Sequence, residues 1–236
     1  MTIPVPDPAL VERLAAISTA TLTMQLLKRG IRNVWMRGVR PLQPAAGRVV
    51  GPAETWRFVP MREDVSTVES LGLPGNSREA VEAATPGSVV VADACGCSAA
   101  GVIGDILAAR LGRRGIRAMV TDGAVRDAAG VAATGLPVFA AGAAAPATIS
   151  AIHFAERNGA IGCGGVMVRP GDLIVADGDG VVVVPQALAP AIAADGGAQD
   201  AFEDWVVEQV GRGRALPGLY PPSPETRAEY EARGKG

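Results

Sequence analysis

Asp105 and the adjacent pair Arg126–Asp127, a D-x20-R-D spacing, are the residues of this chain best suited to chemistry on a small anionic molecule. Asp105 opens an expected helix, and the first N–H groups of a helix lack partners inside it, so they suit an anion. Arg126 carries a planar guanidinium able to hold a carboxylate through two parallel hydrogen bonds. Asp127 is a hard oxygen ligand, fit for a divalent ion that keeps most of its waters, and Asp105 is fit to orient those waters from outside. A plainer reading, an Arg–Asp surface pair beside a helix-capping aspartate, fits the same three residues, and the pattern by itself leaves both open.

Such chemistry needs a frame that brings positions 105 and 126 together. Ser88–Ala92 is a continuous apolar run, as expected of a strand buried on both faces. A loop rich in Gly, Ala and Cys follows over 93–104, then a helix over Asp105–Leu111 ended by Gly112 and Gly115, then a second buried strand over Ile116–Thr121 and the loop Asp122–Asp127. Strand, helix and strand within about 35 residues match one βαβ unit, with parallel strands and a right-handed crossover. Both polar loops then leave the carboxyl ends of strands in one sheet, the edge where open α/β sheets bind ligands.

Around this unit, Asp7-Pro8 starts a helix in which Leu10, Leu14, Ile17, Thr21 and Met24 recur at helical spacing up to Gly30. Short β-type runs lie between Val34 and Val59, a helix over Ser77–Thr85, strands over Pro137–Ala140, Val166–Val168, Leu173–Ala176 and Val181–Val184, and a last helix over Gln199–Val210. The expected class is α/β, with residues 1–214 as one domain and 215–236 as a Pro- and charge-rich tail packing on the surface or on a neighbouring subunit.

Composition excludes several functions. The 236 residues are 48% hydrophobic and 19% charged with a net charge of −2, so no bulk basic field attracts nucleic acid or an anionic membrane. Lys28 and Lys235 are the only lysines and His153 the only histidine. These counts argue against His-rich metal centres, two-histidine acid–base pairs and most Schiff-base mechanisms. Three cysteines, Cys95, Cys97 and Cys163, are too few and too oddly spaced for a disulfide framework. The proline-containing first ten residues do not read as a signal peptide, and no run approaches the roughly 18 apolar residues of a membrane helix. A cytoplasmic protein with a small-molecule partner is expected.

Other motifs take ordinary readings. Asp177-Gly-Asp-Gly180 begins like a calcium loop, but its twelfth position is Leu188 and a valine strand follows at once, as in a hairpin turn. Gly162-Cys-Gly-Gly165 precedes a strand, not the helix a nucleotide loop requires. Cys95-Gly-Cys97 lacks the second ligand pair of a zinc site. His153 follows an apolar segment and reads as a packed or surface histidine, ligand contact being the rarer alternative.

Gly104-Asp-Ile-Leu-Ala108, Val120-Thr-Asp-Gly-Ala-Val-Arg-Asp127, Leu136-Pro-Val-Phe139, Gly162-Cys-Gly-Gly-Val166, and Pro170-Gly-Asp172 through Asp177-Gly-Asp-Gly-Val181 to Pro185 together resemble the RraA-like aldolase family over roughly residues 8 to 210. That family includes 4-hydroxy-4-methyl-2-oxoglutarate / 4-carboxy-4-hydroxy-2-oxoadipate aldolases and the regulator of ribonuclease activity. The resemblance implies an α-β-β-α sandwich of the swivelling β/β/α type, assembled as homotrimers or homohexamers with the site between subunits. It implies that Asp127 binds Mg2+ or Mn2+, that Arg126 binds the 2-oxo acid and its developing oxyanion, and that Asp105 holds the ion's water. Gly104 and the backbone N–H groups of Ile106 and Leu107 would receive the pyruvyl carboxylate. A glutamate from the neighbouring subunit's C-terminal region is also implied, with Glu203 and Glu208 as candidates.

The reaction so implied is a metal-dependent carbon–carbon lyase step on a 2-oxo acid. Retro-aldol cleavage of a 4-hydroxy-2-oxo acid and β-decarboxylation of oxaloacetate share the pyruvate enolate, whose charge a divalent ion stabilises. The rivals are a non-catalytic regulator of a ribonuclease and a lyase for a sugar-derived oxo acid. The aspartate after the arginine favours the enzyme. The tail motif Gly218-Leu-Tyr-Pro-Pro222 resembles a longer branch of the family.

Overall fold

Strands rich in valine and buried on both faces set the architecture, which the computed structural model describes for residues 3–44 and 47–233. Asp7 caps α1 (Pro8–Ala16), its carboxylate accepting from the Ala9 N–H with proline in the first turn. The single helix expected up to Gly30 is in fact two. Ile17 is extended, and the Ser18 hydroxyl accepts from the Thr21 N–H to start α2 (Thr19–Lys28). A serine that satisfies a helix-start N–H competes with helix continuation, and the break leaves Met24 43% exposed instead of on the buried stripe.

The chain continues through β1 (Arg40–Pro41), β2 (Val49–Pro60), α3 (Ser77–Glu82), β3 (Val89–Asp93), α4 (Asp105–Arg113), β4 (Ala118–Thr121), β5 (Ala124–Val125), α5 (Ala128–Ala133), β6 (Val138–Ala140) and β7 (Gly142–Ala143). Then come β8 (Ile152–Arg157), β9 (Ile161–Cys163), β10 (Val166–Val168), β11 (Leu173–Asp177), β12 (Gly180–Val184), α6 (Ala189–Gly211) and α7 (Pro224–Arg233).

The main sheet runs β1-β6-β4-β3-β2-β11-β12, with β8 beside the far end of β2. The β2–β3, β3–β4 and β4–β6 pairs are parallel, as the βαβ reading requires. Residues 34–36 return to the opposite edge: Trp35 bridges Val182, and the Met36 N–H donates to the Val181 carbonyl at 2.9 Å. The sheet is thus nearly closed into a barrel. Alternation along each strand sends side chains to opposite faces. Val89, Val91, Val120, Phe139, Ile174 and Val183 fill the space between the two halves of the sheet. Val90, Ala92 and Met119 face outward against α3, α4 and α5, and Val50, Leu173, Val175 and Val182 face α1, α2 and α6. Helices, sheet, sheet and helices in that order form the expected α-β-β-α sandwich. Each such aliphatic side chain contributes about 1.5–3 kcal/mol on full burial, so the outer helices are held by their apolar stripes.

Two elements differ from expectation. β2 is one long strand, with Pro52 at the point where it passes from β11 to β3. Helix α6 starts ten residues earlier than predicted, running through Gly196, where an added Cβ would meet Ile17 Cδ1 at 3.0 Å; the glycine admits close approach of the α1 end. The tail folds back on its own chain: Phe202, Trp205 and Tyr230 form a ring cluster with centroids 5.1–5.8 Å apart, and Leu219 is buried beneath. Lys235 lies outside the described residues. No helix among them is long and apolar enough to cross a membrane.

The Asp177-Gly-Asp-Gly180 segment is the hairpin between β11 and β12, and Asp177 pairs with Gly180. The Asp177 carboxylate also accepts from the Thr19 N–H and hydroxyl at 3.0 and 2.7 Å, tying α2 to the hairpin. Burial by itself raises its pKa, but these bonds, the Asp179 N–H and Arg48 outweigh it and hold the carboxyl below its usual range. A carboxyl lowered in the folded state contributes stability above its unfolded pKa of about 4, lost as pH falls through the folded value. Asp177→Asn is therefore expected to lower Tm at neutral pH, with the deficit shrinking below about pH 4. Melting curves at both pH values check this; a constant deficit would assign the effect to hydrogen-bond geometry alone.

Candidate functional site

The ends of β3 and β4 lie side by side in parallel register, with Ala92 opposite Thr121, so the loops after them emerge at one edge. Close backbone packing then fixes residues 101–104 against 124–127. The Val102 N–H donates to the Ala124 carbonyl at 2.8 Å and the Arg126 N–H to the Ile103 carbonyl at 2.9 Å. Glycine is required here: an added Cβ on Gly101 would lie 2.5 Å from the Arg126 nitrogen.

This packing sets the N-termini of α4 and α5 beside each other. Gly104 is the N-cap of α4 and offers no side-chain cap; a Cβ there would crowd Asp127 Oδ2 at 3.1 Å. Asp127 is the N-cap of α5, with a left-handed backbone (φ 52°) that L residues other than Asn and Asp rarely adopt. Its Oδ2 accepts from Arg126 Nε at 3.1 Å, and both side chains remain close to half exposed. Asp105 lies against Gly130 of α5, where a Cβ would meet its carboxylate at 3.0 Å.

Gly104, Asp105, Ile106, Leu107, Arg126 and Asp127 all line one cavity of about 590 Å³. One detail departs from expectation. The Ile106 N–H is already engaged, donating to Asp105 Oδ1 at 2.8 Å, whereas the Leu107 N–H has no acceptor among the described residues. The candidate glutamates lie elsewhere on the chain: Glu203 accepts from Gln199 and the Tyr220 hydroxyl, and Glu208 pairs with Arg212 and Arg233.

Among the described residues no three His, Cys, Asp or Glu side chains converge on a point that could hold a metal ion. The donor set is instead one carboxylate, Asp127, with a second, Asp105, in the same cavity. Zinc wants a closed cage of nitrogen and sulfur ligands; one or two carboxylates with waters and a substrate completing the shell suit Mg2+ or Mn2+. The residues present fit that kind of ion.

Two aspartates escaped sequence reasoning. The Asp93 carboxylate accepts from the Cys95 and Gly162 N–H groups, and that of Asp122 from Ala94 and Gly164. They pin the β9–β10 hairpin to the strand ends and so brace the loops beneath the site. Burial raises the Asp122 pKa, with the Asp93 charge adding to it against the backbone bonds. An aspartate closing each parallel strand was the available signal. The cavity's other wall, formed by residues 64–78, carried none. All three cysteines are free.

The decisive comparison is with protein families: residues 15–183 match the RraA-like (Aldolase/RraA) model, a span that includes the whole D-x20-R-D block. The chain belongs to the RraA-like family. This RraA-like chain is 37% identical over 139 residues to a Halalkalibacterium halodurans protein named "Putative 4-hydroxy-4-methyl-2-oxoglutarate aldolase", covering 59% of this chain and 60% of that one. It is 30% identical over 178 residues to Protein DlpA of Legionella pneumophila, covering 75% of this chain but 28% of the larger protein. The matches thus span less than two thirds of both relatives. Among solved structures, Streptomyces coelicolor RraAS2, described as an unusual member of the RNase ES inhibitor RraA family, superposes with a TM-score of 0.76 at 34% identity, covering 90% of this chain and all of that one. An uncharacterized Pseudomonas syringae protein gives 0.77 at 25% identity over 91% and 98%. The family match ends inside β12, so helices α6 and α7 of this RraA-like chain lie beyond it.

Proposed function

We propose that this protein is a divalent-metal-dependent carbon–carbon lyase acting on a 2-oxo acid, by retro-aldol cleavage of a 4-hydroxy-2-oxo acid, by β-decarboxylation, or both. The observation that carries the reading is the arrangement of Arg126 and Asp127 beside the amino end of α4, all open to one cavity. Arg126 uses Nε on Asp127 and has both terminal amines free of acceptors among the described residues. Its fork can therefore receive the 2-oxo acid's oxygens, where negative charge grows as the carbon–carbon bond breaks. The Leu107 N–H and the helix end supply a second anion-binding position for the carboxylate, and rotation of Asp105 would release the Ile106 N–H to join it. Asp127, with Asp105 nearby, would hold Mg2+ or Mn2+, which supplies Lewis-acid stabilisation of the developing enolate charge. In the aldol direction the C4 hydroxyl gives up its proton, and Asp105 is the carboxylate in the cavity fit to orient the acceptor.

The proposal includes a homotrimer or homohexamer in which Glu203 or Glu208 of one subunit completes the neighbouring site. The second reading, a binding regulator without turnover, has one observation in its favour: the likeness to RraAS2. Pyruvate release separates the two. With Mg2+ present, a lactate-dehydrogenase-coupled assay should record pyruvate from oxaloacetate and from at least one 4-hydroxy-2-oxo acid. Inactivity toward every acid tested would favour the regulator.

A further inference from the structure

We propose that His153, held by Ser66, is a specificity-determining residue that receives the end of the ligand remote from its 2-oxo acid head; this rests on the lyase reading only for the identity of that head. His153 lies on β8, paired with Val59 of β2, and lines the same cavity as Arg126 and Asp127. Its Nδ1 is 3.0 Å from the hydroxyl of Ser66, a residue only 7% exposed. Backbone pairing and that hydrogen bond together fix the ring. Nε2 has no partner among the described residues.

The lining of this cavity combines apolar side chains such as Val65, Leu71 and Ile149 with a small number of polar ones, including Thr67, Ser70 and Asn76. In such pockets a few placed polar groups set orientation and selectivity. Serine can donate to Nδ1 or accept from it, so Nε2 can present a donor or an acceptor to a hydroxyl, and a donor to a carboxylate. The other cation besides Arg126 in the cavity lining, Arg78, is exposed and donates to the Leu71 carbonyl. It is the competing candidate for a remote carboxylate.

Calorimetric titration of the Mg2+-loaded protein with two uncleavable ligands tests the assignment: pyruvate, which is head alone, and 2-oxoglutarate, which adds a remote carboxylate. The parent should bind 2-oxoglutarate more tightly. His153→Phe should weaken 2-oxoglutarate by about tenfold or more, the scale of one hydrogen bond to a charged group, while leaving pyruvate within about twofold. His153→Gln, which keeps an N–H, should recover part of the loss, and Ser66→Ala should fall between. Equal weakening of both ligands, no weakening, no preference for 2-oxoglutarate in the parent, or a loss confined to Arg78→Gln would each overturn the assignment. Binding that depends on His153 without pyruvate release from any cleavable acid would sustain it and sink the lyase reading instead.

Discussion

Asp127→Asn is expected to remove metal-dependent turnover while leaving the fold intact. Asparagine is the substitution that isolates the charge, because it tolerates the left-handed backbone that residue 127 adopts. Loss of a metal-binding carboxylate should cost several kcal/mol of transition-state stabilisation, about a 10³-fold fall in kcat/KM. Melting temperature should hardly move, since the Arg126–Asp127 pair is nearly half exposed and exposed pairs contribute little. Asp127→Ala should be equally inactive and also less stable, by roughly 1–2 kcal/mol, because alanine pays the full left-handed penalty. Arg126→Lys should approach the same loss of activity, a point charge being no substitute for a planar fork. Steady-state kinetics beside melting curves decide the matter. Intact activity with normal melting in either Asp127→Asn or Arg126→Lys would return the pair to a structural role.

Exhaustive chelation with EDTA should reduce lyase activity to background, and added Mg2+ or Mn2+ should restore it. Borohydride in the presence of substrate should leave that activity intact, since trapping needs a lysine at the site. Lys28 closes α2 on the helical layer away from the cavity, its ammonium bound to Gln199 Oε1 at 2.8 Å. Oxalate, a planar mimic of the pyruvate enolate, should inhibit competitively. Activity that survives chelation, or a reduced adduct on a lysine found by mass spectrometry, would overturn the metal mechanism.

What was legible in the sequence follows from where burial is two-sided. Val89–Ala92 and Ala118–Thr121 are enclosed on both faces, which writes continuous apolar runs, and the helix between them must cross over, so the βαβ unit and its binding edge could be read. Ser18 was misread because its side chain can cap a helix or sit within one, and only the turn at Ile17 decides. Strand β8 was missed because His153, Phe154 and Arg157 are half-exposed and Ala155 and Glu156 exposed, leaving no alternation to see. Asp105, Arg126 and Asp127 could be singled out because the chemistry proposed for them is carried by residue type and spacing, and the fold brings all three to one cavity. Asp93 and Asp122 could not be, because the bonds that matter most for their role reach backbone N–H groups of a hairpin 69 and 42 positions away. The wall of residues 64–78 is held mainly by its own short-range bonds, and no periodicity marks such a segment.

The near-closed sheet has a consequence for synthesis on the ribosome. Its seam joins Trp35 to Val182, and the apolar faces of α1 and α2 are covered by the β11–β12 hairpin and α6. At synthesis rates of about 5–20 residues per second, the first two helices wait on the order of ten seconds for the partners that cover them. The parallel strands β2, β3, β4 and β6 can meanwhile pair with one another, since all four have emerged before the hairpin. The part of β2 over Val49–Pro52 lacks its edge partner until β11 has been made, and the seam itself can close only after Val182.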